Sequence, residues 1–352
     1  MVRAGAIGLL AIDLTTALAG PGVATAAETR DAGEILDLLQ ISAGDRSRLV
    51  WGEILPYAVT EHSERELGVG LAMFVPAPVS QLAQHLMAGQ LIAQDLTISA
   101  YGLIPDGAMP EALPGVRFSG GERDEAESLL VAAPGSRFNL SAAEIEALRA
   151  LRTSAGASAK TRVAELVSDE YRRLLRERWQ AYRQGGLAAV APYARSGGTV
   201  TDPAADLRLA ASDADRLARD GAALREALLR YPAAQPRWAV NRFYWIKRQV
   251  QRRPMLSLLH QLVMSDPDVI VHVERYFYVG HSYNAAQIIT GAVLYQDGAV
   301  VFATSRFSTD EILGVGSPMK RAIGRAQLKD EMRKRLDHLR ASLSRPPSVQ
   351  SP

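Results

Sequence analysis

About ninety residues at the C-terminal end constrain the fold most: four apolar runs of period two, then one long basic helix. The runs are Met255–Met264, Val269–Val279, Ala285–Tyr295 and Ala299–Phe307, and the apolar spacing predicts a helix over Ser317–Leu343. The links Ser265–Asp268, Gly280–Asn284 and Gln296–Gly298 have hairpin length, so consecutive strands should pair antiparallel. A curled antiparallel sheet closed over that helix is an α+β arrangement suited to enclosing an apolar guest. The helix carries Met319, Ile323, Ala326, Leu328, Met332, Leu336, Leu339 and Leu343 on one broad side, which a sheet would cover.

Upstream, Ala32–Gln40 reads as a short helix, and Leu49–Thr60 and Leu67–Val75 as strands. Pro76-Ala77-Pro78 stops the second, Val79–Met87 is helical, and Gln94–Ile104 is another strand. Pro105–Gly121 is rich in Gly and Pro and reads as irregular. Ser141-Ala142-Ala143-Glu144 is a capping box that opens a helix to Leu151. Lys160–Gln184 continues helically until Gly185-Gly186, and Ala204–Leu229 holds one or two more helices. Arg237–Gln251 reads as a strand. The expected organisation is thus an α+β part over 30–130, a helical insertion over 140–232, a second α+β part over 236–343, and a disordered tail over 344–352.

Residues 1–26 carry the marks of a signal peptide. Arg3 precedes a mostly apolar stretch, and Ala24-Thr25-Ala26 fits the cleavage rule, although Asp13 interrupts the apolar run. The expectation is export, to the periplasm or outside the cell. Cysteine is absent, which excludes disulfides, thiol nucleophiles and thiolate metal sites. Net charge is only +2, yet residues 237–253 hold Arg237, Arg242, Lys247, Arg248, Arg252 and Arg253 with no acid. Residues 317–343 hold eight basic groups against Asp330, Glu331 and Asp337. Such asymmetry fits a solvated helix face or an anionic membrane surface. Nucleic acid is not an expected partner, because aromatic residues do not interleave with the basic ones.

The most conspicuous motif is Tyr276-Phe277-Tyr278-Val279-Gly280-His281-Ser282-Tyr283-Asn284. Gly280-His281-Ser282 is no nucleophile elbow: Asn284 replaces the closing glycine and strand continues on both sides. His281, Tyr283, Asn284 and Glu274 remain candidate acid–base and positioning groups. The competing reading is a bulge or corner whose polar groups only satisfy bent backbone. The six histidines make no H-x-x-x-H or H-E-x-x-H pattern, so neither a metal nor a cofactor is expected. His260, His272 and His281 do fall on neighbouring strands or their links. Arg306 with Asp310 or Glu311 is expected as a structural ion pair, and Ser317 with Pro318 as a helix cap beside Lys320 and Arg321.

The block Arg275–Asn284, with Arg306–Asp310 and Gly316…Lys320…Gly324-Arg325, resembles a family of uncharacterised secreted bacterial proteins. Its signature, R-x-(F/Y)-Y-V-G-H-S-Y-N followed by R-x-S-T-D, covers the C-terminal third; Asp310-Glu311 stands where relatives tend to show Asp-Gln. That resemblance implies secretion and no catalytic assignment. At fold level the element order resembles the START/SRPBCC helix-grip proteins, whose sheet and terminal helix enclose sterols, lipids or other apolar molecules. The helices from Ser141 to Leu229 depart from that pattern.

The resulting expectation is a helix-grip-like α+β protein with a helical insertion, carrying a hydrophobic small molecule or lipid between sheet and C-terminal helix. Tyr276, Tyr278, Tyr283, Val300 and Phe302 would line the cavity, with Met319 and Ile323 gripping from the helix. Arg275, Arg306 or His281 would meet a polar headgroup. The alternatives are a cell-envelope hydrolase or lyase using His281, Tyr283 and Asn284 with Glu274, and a non-catalytic scaffold.

Overall fold

β-Branched and aromatic residues suit a pleated surface covered by neighbours, and the four C-terminal runs all form strands. The computed structural model describes residues 31–343 apart from 94, 106, 108–112, 114, 157, 213, 218–220, 234, 237–238 and 266. The segment 1–26 expected to be a signal peptide and the segment 344–352 expected to be a disordered tail lie outside the described residues. The chain begins with α1 (Ala32–Leu38), α2 (Ala43–Val50), β1 (Leu55–Tyr57), β2 (Glu66–Val75), α3 (Val79–Met87), α4 (Gln90–Ala93) and β3 (Ile98–Ile104). The insertion holds α5 (Arg123–Leu130), α6 (Ala142–Ala155), α7 (Ser158–Gly185), the short strands β4 (Tyr193–Ala194) and β5 (Val200–Thr201), α8 (Pro203–Ala210) and α9 (Gly221–Leu229). Then follow β6 (Val240–Val250), β7 (Arg253–Ser265), β8 (Val269–Val279), β9 (Ala285–Tyr295), β10 (Gly298–Ser308) and α10 (Ser317–Leu343).

Eight strands make one antiparallel sheet in the order β1-β2-β10-β9-β8-β7-β6-β3. The insertion leaves after β3 and returns at β6, its sheet neighbour, so it interrupts the sequence without breaking the sheet. The result is α+β and helix-grip-like, with α10 laid along β2 and β10 on one face of the sheet.

Helices cover both faces. On one, α1, α2 and the insertion pack against Phe74, Leu262, Val271, Val273, Phe277, Val300 and Phe302. On the other, α3 and α10 meet Leu71, Met73, Val263, Ile270 and Val301, with Leu328, Met332, Leu336, Leu339 and Leu343 buried along α10. Coverage on both sides explains why β8 is buried along its whole length instead of alternating in and out.

Three local features set which side chain faces where. Phe277 is an extra residue in β8, since Leu258 pairs with Tyr278 and Leu259 with Tyr276. This bulge sends both Phe277 and Tyr278 towards the insertion, and Tyr276 and Val279 towards the opposite side. Gln251 and Arg252 both take positive φ in a two-residue hairpin between β6 and β7, a conformation usually met by Asn-Gly. Phe302 lies over Gly291, where an added Cβ would stand 2.1 Å from its ring.

The expected strand over Leu49–Thr60 is a correction. Ser42 caps α2, which runs to Val50, and only Leu55–Tyr57 pairs, at the sheet edge. The Ser42 hydroxyl accepting from the Asp45 amide outweighs the weak strand propensity that follows it. The expected helix over Ala204–Leu229 is two, α8 and α9.

The insertion is held to the sheet by satisfied polar contacts. Tyr182 stacks on Phe277 with ring centroids 4.0 Å apart, and its hydroxyl lies 2.9 Å from His260 Nδ1. Arg275 donates to the Leu228 carbonyl and to Gln287, whose amide donates to the Ala210 carbonyl. Arg178 makes two 2.7 Å bonds to Glu144 and lies over the Tyr278 ring.

Candidate functional site

On β8, period two places His272, Glu274 and Tyr276 on the face that carries α3 and α10, and Val271, Val273 and Arg275 on the insertion side. Register then sets Gln261 of β7 opposite Glu274, and Arg242 of β6 opposite Gln261. From above, Arg335 of α10 donates to Glu274. Arg248 of β6 donates to the Tyr276 hydroxyl at 3.1 Å and faces Asp95 at 3.6 Å. Arg242 donates to the Met87 carbonyl at the end of α3. Arg242 and Arg248 of one basic segment and Arg335 of the other thus come to the same face of the sheet.

Here, among the described residues, buried polar atoms stand without protein partners: Gln261 Oε1, His272 Nε2, Glu274 Oε1, Arg335 Nε and Arg248 Nε. Gln261, His272 and Glu274 are each only about 1 % exposed. Leaving a buried polar group unpaired costs about 1–3 kcal/mol, so such groups rarely gather by accident. Apolar clusters flank them on both sides. One is the α3–α10 core around Val263 and Ile270. The other holds Ile92, Tyr244, Leu259, Tyr276 and Ile288.

Electrostatics bind the group together. Burial alone would raise the Glu274 carboxyl, but the charge of Arg335, its hydrogen bond and the charge of Arg248 hold it below the usual carboxylate value. Burial pushes His272 down to about 4, with Arg335 and Arg242 adding to the effect and Glu274 opposing it. Burial raises the Tyr276 and Tyr283 hydroxyls, against the pull of Arg248. At neutral pH the site therefore holds a neutral imidazole beside a carboxylate, framed by guanidinium groups.

The buried histidines give a pH prediction. His272 and His281 both have folded values of about 4 against an ordinary 6.5. Between those limits the unfolded chain binds more protons than the folded one, so stability falls as pH drops through that window. Each imidazole adds a slope of about 1.4 kcal/mol per pH unit. Urea midpoints taken at pH 7 and pH 5 should show the loss, and His272→Leu should make it shallower.

The residues expected from sequence separate into several places. Tyr276, Tyr283 and Glu274 belong to the α10 face; Tyr283 packs on Phe307 with ring centroids 5.0 Å apart. Tyr278, Val300, Phe302, Arg275 and Arg306 sit on the insertion side. They cannot line one cavity with Tyr276, because the bulge at Phe277 breaks the alternation and the sheet lies between. Met319 and Ile323 are 71 % and 53 % exposed, so they grip nothing. Arg306 pairs with Glu66 at 2.7 Å and donates to the Thr60 carbonyl; Asp310 instead takes Arg195 and Arg65.

His281 and Asn284 lie away from Glu274. The His281 ring nitrogens engage the Ser282 hydroxyl (2.7 Å) and the Pro254 carbonyl (3.2 Å). Asn284 accepts from Arg195 at 3.0 Å and donates to Asp310 at 3.2 Å. Gly-His-Ser-Tyr-Asn is a corner in which the His281, Ser282 and Asn284 side chains have protein partners. Sequence reading missed Gln261, His272, Arg242, Arg248 and Arg335 as site residues. The available signal was ionisable side chains two apart on an otherwise apolar strand.

Two cavities lie elsewhere. A void of ≈ 10 Å³ borders Asp206, Arg306 and Ser308. An open cleft of ≈ 360 Å³ is lined by Ile98–Tyr101, Gly115 and Trp245 at the β3 edge. Against β2 and β10, α10 is packed.

No family model matches the chain, and no curated protein does. Among solved structures, one match is the di-domain aromatase/cyclase StfQ from the steffimycin biosynthetic pathway, at 14 % identity and a TM-score of 0.23. It covers 77 % of this chain and 97 % of that one. So slight a likeness carries no argument about this protein.

Proposed function

We propose that the protein binds a small, largely apolar molecule beside α10, with the molecule's polar group at the His272–Glu274–Gln261–Arg335 cluster. One observation carries this reading: buried polar atoms without partners among the described residues gather on β6–β8 beside α10, which reaches them through Arg335, between two apolar clusters. A structural core would fill that place with hydrocarbon or complete its hydrogen bonds. A guest seated there would supply the missing partners and cover apolar surface on both sides. Because α10 packs directly on the sheet beside the cluster, the guest enters as that helix shifts.

Native mass spectrometry of protein purified from its own host without detergent tests this. A bound apolar species is expected, and its loss from the doubly substituted Gln261→Leu/His272→Leu protein. That variant should fold and be as stable as the parent or more so, since it removes two unpaired buried polar groups. Wild-type protein that never carries or takes up an apolar molecule would sink the reading.

A second reading, an enzyme, is favoured by a single fact: a neutral imidazole and a carboxylate share one face two residues apart. Turnover of the bound species that disappears in His272→Gln while binding persists would select it. Export remains part of the proposal, resting on Arg3, the apolar run and Ala24-Thr25-Ala26; fractionation of the host with N-terminal sequencing tests it.

A further inference from the structure

We infer that the polar group received at this cluster is a neutral hydroxyl, so the ligand class is an apolar alcohol or phenol and not an acid or an amine. This rests on the reading above that the cluster holds a small molecule. The argument is an inventory of what the unpaired atoms can do. Gln261 Oε1 and Glu274 Oε1 only accept hydrogen bonds; Arg335 Nε and Arg248 Nε only donate. His272 Nε2 can do either, according to tautomer.

Gln261 and Glu274 are direct partners across β7 and β8, so a group that bonds one of them lies against the other. A carboxylate or phosphate placed there would set its own oxygens against those two acceptors, one of them charged. Asp95 and Glu331, towards the Arg248 end, add to the repulsion of an anion. An ammonium group would find Glu274 but would face the guanidinium groups of Arg335, Arg242 and Arg248, whose charges all reach His272 or Glu274. A hydroxyl meets both demands: it donates to Glu274 or Gln261 and accepts from Arg335 or His272. It brings no charge into a site whose surroundings on either side are apolar.

Calorimetric titration of the full chain with matched probes decides it: 1-decanol against decanoate and decylamine, and 2-naphthol against 2-naphthoate. In at least one series the hydroxyl compound should bind at least about tenfold more tightly than its charged counterparts. Binding in which no series shows that tenfold preference for the hydroxyl compound overturns the hydroxyl assignment and leaves the binding site standing. No binding by any probe in either series overturns the site and the assignment together. Glu274→Gln keeps the shape and removes the charge, so the preference for alcohol over acid should narrow to about threefold or less. An unchanged preference in a folded Glu274→Gln protein removes Glu274 as the discriminator. Should that variant fail to fold, the wild-type ranking still decides.

Discussion

Tyr182→Ala should cost about 3–5 kcal/mol of stability, the range for removing a buried aromatic side chain. Tyr182 is 0 % exposed and stands at the join between the insertion and the sheet. Its ring is stacked between Phe277 of β8, at 4.0 Å, and Tyr231, at 5.2 Å. It also meets Phe243 of β6 edge-on, and its hydroxyl bonds His260 of β7. Truncation therefore opens a large cavity and strips a buried imidazole of a partner at once. Tyr182→Phe keeps the packing and loses only that bond, so its cost should be about 1–2 kcal/mol. Because these contacts belong to both the helical insertion and the sheet, urea unfolding should stay a single transition in both variants. An insertion that melted separately at lower urea would show that the join is weaker than its packing implies.

The sheet was legible because period two is a strong signal where side chains are apolar. β8 and β9 have the bounds read from sequence, and α10 spans Ser317–Leu343 as its spacing predicts. The capping box at Ser141 forms with both of its hydrogen bonds. What escaped was whatever depended on register or on φ. Tyr276 and Tyr278 share a face by alternation, and the single extra residue Phe277 undoes that. Gln251-Arg252 makes a tight hairpin with no glycine or asparagine to announce it. The basic residues were visible as two segments far apart in sequence, but nothing local says that Arg242, Arg248 and Arg335 turn inward. Only the pairing of β6, β7 and β8, with α10 above, brings them to Glu274. The motif most visible in sequence, Gly280–Asn284, is a corner that ties Asn139 and Arg195 of the insertion to the sheet. A polar motif draws the eye equally whether its partners are protein groups or a guest, and only the hydrogen-bond tally separates the two.

Glu274→Ala is expected to lower stability by about 3–5 kcal/mol, the usual cost of breaking a buried ion pair. The carboxylate is 1 % exposed and is bonded to Arg335; without it that guanidinium loses the one carboxylate it is hydrogen-bonded to. Replacing both partners, as Glu274→Leu with Arg335→Met, should recover most of the loss, because no buried charge is then left unpaired. The two variants together separate what the pair does for the fold from what it does for a ligand. If the pair served only the fold, the double variant would be a neutral change and would keep whatever the wild-type protein binds. On the proposal made here, it folds as well as the parent in urea titration yet shows no bound species by mass spectrometry and takes up no 1-decanol. A double variant that is stable and still binds would assign the unpaired atoms to the architecture alone.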